Sequence, residues 1–303
     1  MRSSVAKSML RAAEADENLF LISGDAGYGV LDEHQARFGS RYLNLGVAEQ
    51  NTISFAAGLA LVGYRVFVYN IIPFVLYRCY EQVRNDICYQ HLPVILVGTG
   101  SGVAYAPAGM THYGVEDIAL ARTLPGLTIL SPCDPYEAEL CVDFALKAPG
   151  PSYIRIAKAK EPVLHTQRPT SITEPLVHQQ GEGVAVVFHG SVGDAVLEAV
   201  KGLEPRPTVL SVPMLQPMDL EALGRRLAGI HTVLTVEEHC STGGLGSIVA
   251  QWIADERRPL RLERMGFGHE FIHAVCHTAG MRELYGFSAP QIAAAVRRAF
   301  ETA

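Results

Sequence analysis

The chain has 303 residues, 49% of them hydrophobic and 18% charged, with a net charge of -6 from 25 basic and 31 acidic residues. That length suits two domains with a large core and needs no disulfide or metal staples. The acidic balance, without any long run of Lys or Arg, argues against nucleic acid or an anionic membrane as a partner. The first twenty residues hold no apolar signal core. The apolar stretches near Ile53–Val62 and Pro93–Val97 fall far short of the roughly 20 residues that span a bilayer. We therefore expect a cytoplasmic protein.

In chain order, Leu19–Ser23 and Tyr42–Leu45 read as strands, Ala48–Leu61 as a helix and Arg65–Tyr69 as a strand. Phe74–Tyr89 reads as a helix, Pro93–Gly98 as a buried strand and Leu127–Ser131 as another. Asp134, Pro135 and Glu137 then supply an N-cap, a proline at the first helical position and an early carboxylate, which together open a helix. Ser152–Ile156 closes the series. Strands alternating with helices imply an α/β domain with a parallel sheet covered on both faces, over residues 1–156. Residues 157–182 carry Pro162, Pro169 and Pro175, are polar and lack periodicity, so they read as a linker. The α/β pattern resumes over 183–303. Val184–Phe188, Thr208–Ser211 and Thr232–Val236 are the strand candidates; Val192–Val200, Leu220–Leu227, Leu245–Ala254 and Ala289–Thr302 are the helices. The six cysteines (79, 88, 133, 141, 240 and 276) form no C-x-x-C and read as reduced, buried thiols.

The most informative stretch is Asn44-Leu45-Gly46-Val47-Ala48-Glu49-Gln50-Asn51. A strand ends, a glycine turns the chain, and a carboxylate opens an apolar helix. By pattern alone such a glutamate is more often a helix-dipole residue than a catalyst. However, Phe38–Asn51 resembles the corresponding stretch of transketolases and deoxyxylulose-phosphate synthases, and further motifs follow in the same order. Phe74–Asp86 resembles their aromatic-plus-R-x-Y-[DE]-Q helix. Gly109–His112 with Glu116-Asp117 resembles their G-x-T-H segment, and Leu124–Glu137 their LPN…P.D..E segment. Val236–His239 with Gly243–Ser247 resembles the VEE…GG-x-G-S of the C-terminal domain. The resemblance thus covers nearly the whole chain.

It implies a pyrimidine-binding domain followed by a smaller transketolase C-terminal domain, and thiamine diphosphate as cofactor. In that family a carboxyl group hydrogen-bonded to the aminopyrimidine drives the imino tautomer that takes the thiazolium proton. Glu49 is the residue that matches it. Phe74 and Tyr77 match the aromatic residues flanking the pyrimidine, while Ile71 stands where many transketolases place another aromatic. His112 matches the histidine that faces the substrate carbon and donates to a developing alkoxide. Asp25 matches an acidic residue near the cofactor at the subunit interface. Arg2 and Lys158 match phosphate-gripping positions, Lys158 replacing the usual arginine with a point charge. Two departures stand out: Ala108 replaces an aspartate that contacts a donor hydroxyl, and Gly100 replaces a phosphate-binding histidine. An unusual sugar substrate is therefore expected.

The diphosphate and its Mg²⁺ are held in this family by another domain with a G-D-G…N motif. Gly24-Asp25-Ala26 is only a partial look-alike, and no oxygen ligand set for Mg²⁺ is visible. The resemblance implies a separate diphosphate-binding subunit and an α2β2 heterotetramer. Within the same chemistry, a deoxyxylulose-phosphate-synthase-like subunit and a 2-oxoacid dehydrogenase beta subunit remain alternatives. From another class, so does a non-catalytic partner subunit. His269-Glu270-Phe271-Ile272-His273 is a literal H-E-x-x-H zinc motif, with His277 four residues on. Gly266, Gly268 and Gly280 leave little room for the helix that this chemistry needs, so it is set aside as proteolytic. The G-T-G-S-G run at Gly98 lacks the dinucleotide spacing.

Overall fold

A computed structural model describes residues 1–158 and 161–301. Two linker residues and Thr302, the end of the expected last helix, lie outside them. Six strands build most of the first sheet: β1 Leu19–Ser23, β2 Tyr42–Asn44, β3 Arg65–Ile71, β4 Val94–Thr99, β5 Thr128–Leu130 and β6 Ser152–Ile156. The second half adds β7 Leu176–Gln179, β8 Gly183–Phe188, β9 Thr208–Ser211, β10 Met214–Gln216, β11 Ile230–Cys240 and β12 Arg261–Phe267. The first sheet runs β10-β5-β6-β4-β3-β1-β2 and the second β12-β11-β8-β9-β7. Pairing is parallel throughout, except that β10 joins β5 and β7 joins β9 antiparallel. The near-continuous apolar strands, such as Val94–Val97, reflect burial on both faces.

Helices Arg2–Ala15 and Pro135–Lys147 cover one face of the first sheet through Val5, Met9, Ala138 and Val142. Helix Glu49–Leu61 and the segment after β3 cover the other. In the second sheet, Gly193–Val200 and Ala289–Glu301 lie on one side, and Leu245–Glu256 on the other. One apolar cluster runs without a break from Val68 and Leu96 of the first sheet to Val187 and Val233 of the second and Trp252 of the helix Leu245–Glu256. Each of its fully buried aliphatic side chains contributes about 1.5–3 kcal/mol, so the two domains share a core.

Three observations depart from the sequence reading. β7 lies within the stretch read as a linker and forms an edge of the second sheet. β10, from the second half, completes the first sheet. Phe74–Tyr89 is not one α-helix: it is π-helical over Pro73–Tyr77, α-helical over Tyr80–Gln82 and π-helical again over Val83–Cys88. Edge strands and π turns are set by tertiary contacts that composition does not announce.

Candidate active site

The candidate residues gather at the carboxyl ends of the parallel strands, where open α/β sheets bind ligands. Asp25 follows β1, Glu49 follows β2, Phe74 follows β3, His112 follows β4 and Lys158 follows β6. Gly46, at φ 64°, makes the turn that a side chain would resist and brings Glu49 to the first position of its helix. The unpaired N–H groups there favour a carboxylate.

Glu49 is buried, at 7% exposure. Its Oε1 accepts from Arg78 Nη1 at 2.9 Å, and among the described residues Oε2 takes no protein hydrogen bond. The Arg78 guanidinium lies 4.5 Å from the centre of the Phe74 ring. The His112 ring meets Phe74 edge-on at 5.3 Å and lies 6.3 Å from Tyr105. The Lys158 ammonium sits 4.7 Å from the Tyr105 ring centre. Glu49, Arg78, Phe74, His112, Tyr105 and Lys158 therefore form one continuous row. Thr111 Oγ1 lies 2.9 Å from His112 Nδ1. With the hydroxyl donating, the ring proton resides on Nε2, the nitrogen left to face a ligand.

Tyr77 does not join the row. A π turn spreads residues three apart further around the axis than an α turn does, so Phe74 and Tyr77 diverge. The Tyr77 hydroxyl accepts from the Glu116 backbone N–H at 3.0 Å and donates to Glu116 Oε2 at 3.2 Å. Burial, with Asp117 and Glu116 nearby, pushes that hydroxyl well above its usual range. Asp25 is exposed and accepts from the Tyr28 hydroxyl. Arg2 begins its helix beside the Tyr69 hydroxyl, which burial pushes up to about 12. Gly100 has φ 92°, and a Cβ there would run into the Tyr105 ring, so Tyr105 fills the space a larger residue would take. Arg78 and Tyr105 join the site although sequence reasoning did not single them out. Arg78 opens the R-x-Y-[DE]-Q motif, which was the one signal for it.

The H-E-x-x-H stretch lies in irregular chain between β12 and helix Thr278–Leu284, so no helix face presents His269 and His273 together. His277 instead caps that helix, its Nδ1 accepting from Gly280 N–H at 3.0 Å. The VEE…GG-x-G-S motif is framework. Glu237 accepts from Leu245 and Gly246 N–H at 2.7 and 2.8 Å, and Gly244 is small because that carboxylate occupies its side-chain space. Glu238 binds Arg282 at 2.7 Å and holds Ser191 at 2.8 Å. Ser131, His189 and Glu237 line up like a nucleophile triad, but all three are fully buried and serve as an interdomain lock.

Residues 1–162 match the transketolase pyrimidine-binding domain and residues 174–292 the transketolase C-terminal domain. The chain belongs to the transketolase family. It is 36% identical over 261 residues to a subunit of the apulose-4-phosphate transketolase of Actinobacillus succinogenes, covering 84% of this chain and 83% of that one. It is 33% identical to 1-deoxy-D-xylulose-5-phosphate synthase of Symbiobacterium thermophilum over 87% of this chain but only 41% of that longer enzyme. A solved structure described as a split gene transketolase, an inactive beta4 tetramer, superposes with a TM-score of 0.87. It shares 30% identity and covers 99% of this chain and 97% of its own. The chain is thus the beta-type half of a split transketolase, a transferase subunit of two α/β domains. No helix among the described residues is long and apolar enough to cross a membrane.

Proposed function

We propose that this chain supplies the pyrimidine side of a thiamine diphosphate site. With a separate subunit holding the diphosphate and Mg²⁺, it would transfer a two-carbon ketol unit from a ketose-type donor to an aldehyde acceptor. One observation carries the reading: a buried carboxylate with a free oxygen, Glu49, is linked through Arg78 to the Phe74 ring, which in turn meets His112, at the carboxyl edge of the sheet. An aminopyrimidine needs one acidic hydrogen-bond partner and one aromatic neighbour, so the residues fit the cofactor. When bound, thiamine diphosphate would supply a thiazolium carbon acidic enough to lose its proton and serve as a nucleophile.

Glu49 would hold a proton between Oε2 and a pyrimidine nitrogen, and Arg78 on Oε1 orients the carboxylate. His112 donates from Nε2 to the oxygen of the bound substrate. Tyr77 acts at one remove, by positioning Glu116, and Asp25 lies toward the partner. Lys158 and Arg2 attract a phosphate on the substrate, and Tyr105 at the Gly100 position reshapes that end. The relative that acts on apulose 4-phosphate points to an unusual sugar phosphate as the substrate class. Exposed Val47, two residues before Glu49, with Phe55, Leu61 and Val62 further along the helix that Glu49 opens, gives apolar surface for the partner in an α2β2 assembly. Six free thiols suit the cytoplasm.

Reconstitution with a diphosphate-binding subunit, thiamine diphosphate and Mg²⁺ is the test. Ketol transfer from hydroxypyruvate, with neither chain active alone, is the expected result. Carbon dioxide and product from pyruvate, with none from hydroxypyruvate, would favour the synthase-like reaction and defeat ketol transfer.

A further inference from the structure

A second cluster of reactive side chains lies beyond β5, where the first domain meets the linker and β7, and the transketolase reading makes no use of it. Cys133 precedes helix Pro135–Lys147, Glu137 lies in its first turn, His165 belongs to the linker and His178 to β7. One ligand-type atom from each of the four lies within 4.8 Å of all the others. Cys133 and Glu137 are fully enclosed, while His165 and His178 reach a cleft of about 580 Å³ that opens to solvent. The histidine rings stack at 4.2 Å and 29°.

The local structure holds these groups in place. Asp134 Oδ2 accepts the backbone N–H groups of Leu164 and His165, at 2.9 and 3.2 Å, and so ties the linker to the helix start. His165 Nε2 lies 2.8 Å from Glu137 Oε1, and Ser211 donates to the same oxygen. His178 Nε2 lies 3.0 Å from Ser211 Oγ. The Cys133 sulfur lies against Glu137 and Ser211.

We propose that Cys133, Glu137, His165 and His178 form a binding site for one zinc ion, which pins the linker and β7 to the first domain. A tetrahedral zinc with bonds of about 2.0–2.3 Å sets its ligands roughly 3.3–3.8 Å apart, so the His165–Glu137 pair opens by about half an ångström, the widest pairs, up to 4.8 Å apart, close by about 1 Å, and the Ser211 hydroxyl releases His178 Nε2. One thiolate, one carboxylate and two neutral imidazoles cancel the double positive charge, which suits an enclosed site. Binding releases the thiol proton to solvent, and each imidazole keeps its remaining proton on Nδ1. Thiolate and imidazole select zinc over magnesium, so the site stays separate from the Mg²⁺ that accompanies a diphosphate. The cleft gives the ion its way in. The proposal is independent of the reaction the assembly performs.

The full chain, stripped with chelator and held in excess Mg²⁺, is titrated with zinc against a chromophoric competitor. The expected result is one zinc per chain at submicromolar affinity and a raised melting temperature. Cobalt in its place should show thiolate-to-metal charge transfer and the strong visible bands of four-coordination. Cys133→Ser and His178→Gln should each weaken zinc at least a hundredfold, and Cys133→Ser should abolish the charge-transfer band. If Cys133→Ser does not fold, His178→Gln and the wild-type cobalt spectrum decide. No zinc uptake by the wild-type chain, a cobalt spectrum without thiolate, or undiminished binding in a folded variant would each overturn the proposal.

Discussion

Replacing Glu49 by glutamine separates the chemistry from the fold. The amide keeps the shape and can still accept from Arg78 through its oxygen, so the 2.9 Å contact survives in weaker form. Arg78 is 46% exposed, and half-solvated ion pairs contribute about 1 kcal/mol or less. Thermal unfolding of the purified chain should therefore shift only slightly. Glutamine cannot share a proton with a ring nitrogen as a carboxyl can. Positioned acid–base groups contribute about 10²–10⁴-fold in rate, or about 3–5 kcal/mol of barrier. The assay is kcat for ketol transfer in the reconstituted complex, with hydroxypyruvate as donor and saturating thiamine diphosphate. We expect a fall of at least a hundredfold on an unaltered fold. A kcat within about threefold of wild type would refute the assignment and leave the chain a non-catalytic partner.

Other predictions follow from the buried groups. His34 is buried beside Phe38 and Tyr42, its ring nitrogens unpaired, and burial with Arg41 and Arg37 lowers its pKa to about 4. Below the free value of 6.5 the unfolded chain binds a proton the folded chain refuses, so stability present above pH 6.5 is lost down to about pH 4. After allowance for solvent screening the loss is about 2 kcal/mol, and urea unfolding of His34→Phe should lack this part of the slope; an equal slope in the variant would be the failure. Arg155 is fully buried and binds Asp117 at 2.8 Å and the carbonyls of Gly114 and Glu238 at 2.8 and 2.9 Å. Arg155→Met leaves the buried Asp117 without its cation, with the Tyr153 hydroxyl at 2.7 Å as its remaining side-chain partner, for a cost of about 3–5 kcal/mol. Adding Asp117→Leu should recover part of that in denaturant melts. Gly100→Ala combines a disfavoured φ with intrusion into the Tyr105 ring, and should cost about 2–4 kcal/mol. Replacing His269 and His273 together by alanine should leave zinc uptake unchanged, because that stretch forms no helix.

Local signals carried much of the architecture. Asp134 reads as an N-cap from sequence, and its Oδ1 does accept the Glu137 N–H at 2.9 Å. The strands from Leu19 to Ile156 are legible because burial on both faces leaves unbroken apolar runs. Glu49 and His112 were legible only through collinear motifs; their contact with Phe74 and Arg78 depends on a π turn, which no periodicity predicts. Tyr77 was legible through the same family pattern, while the pairing of its hydroxyl with Glu116 comes only from the fold. The Cys133–His178 cluster was invisible for a related reason. Its members are spread over 46 residues of chain, in a turn, a helix, a linker and an edge strand that only the fold brings together.

The division of labour between the two halves follows from the same placement. The second-domain carboxylates Glu237 and Glu238 are consumed by helix ends, Arg282 and Ser191. The shared apolar core and Arg155 fix the two sheets to each other without help from another chain. At the carboxyl edge of the first sheet the opposite holds. Glu49 keeps an oxygen unused, and Val47 stands in water although burying it would contribute about 1.5–3 kcal/mol. A buried carboxylate oxygen left unused beside an exposed apolar side chain marks this edge as the place where the chain is incomplete. The partner should therefore dock across Glu49 and leave the cleft at His165 and His178 exposed, so zinc affinity should be the same in the free chain and in the assembly.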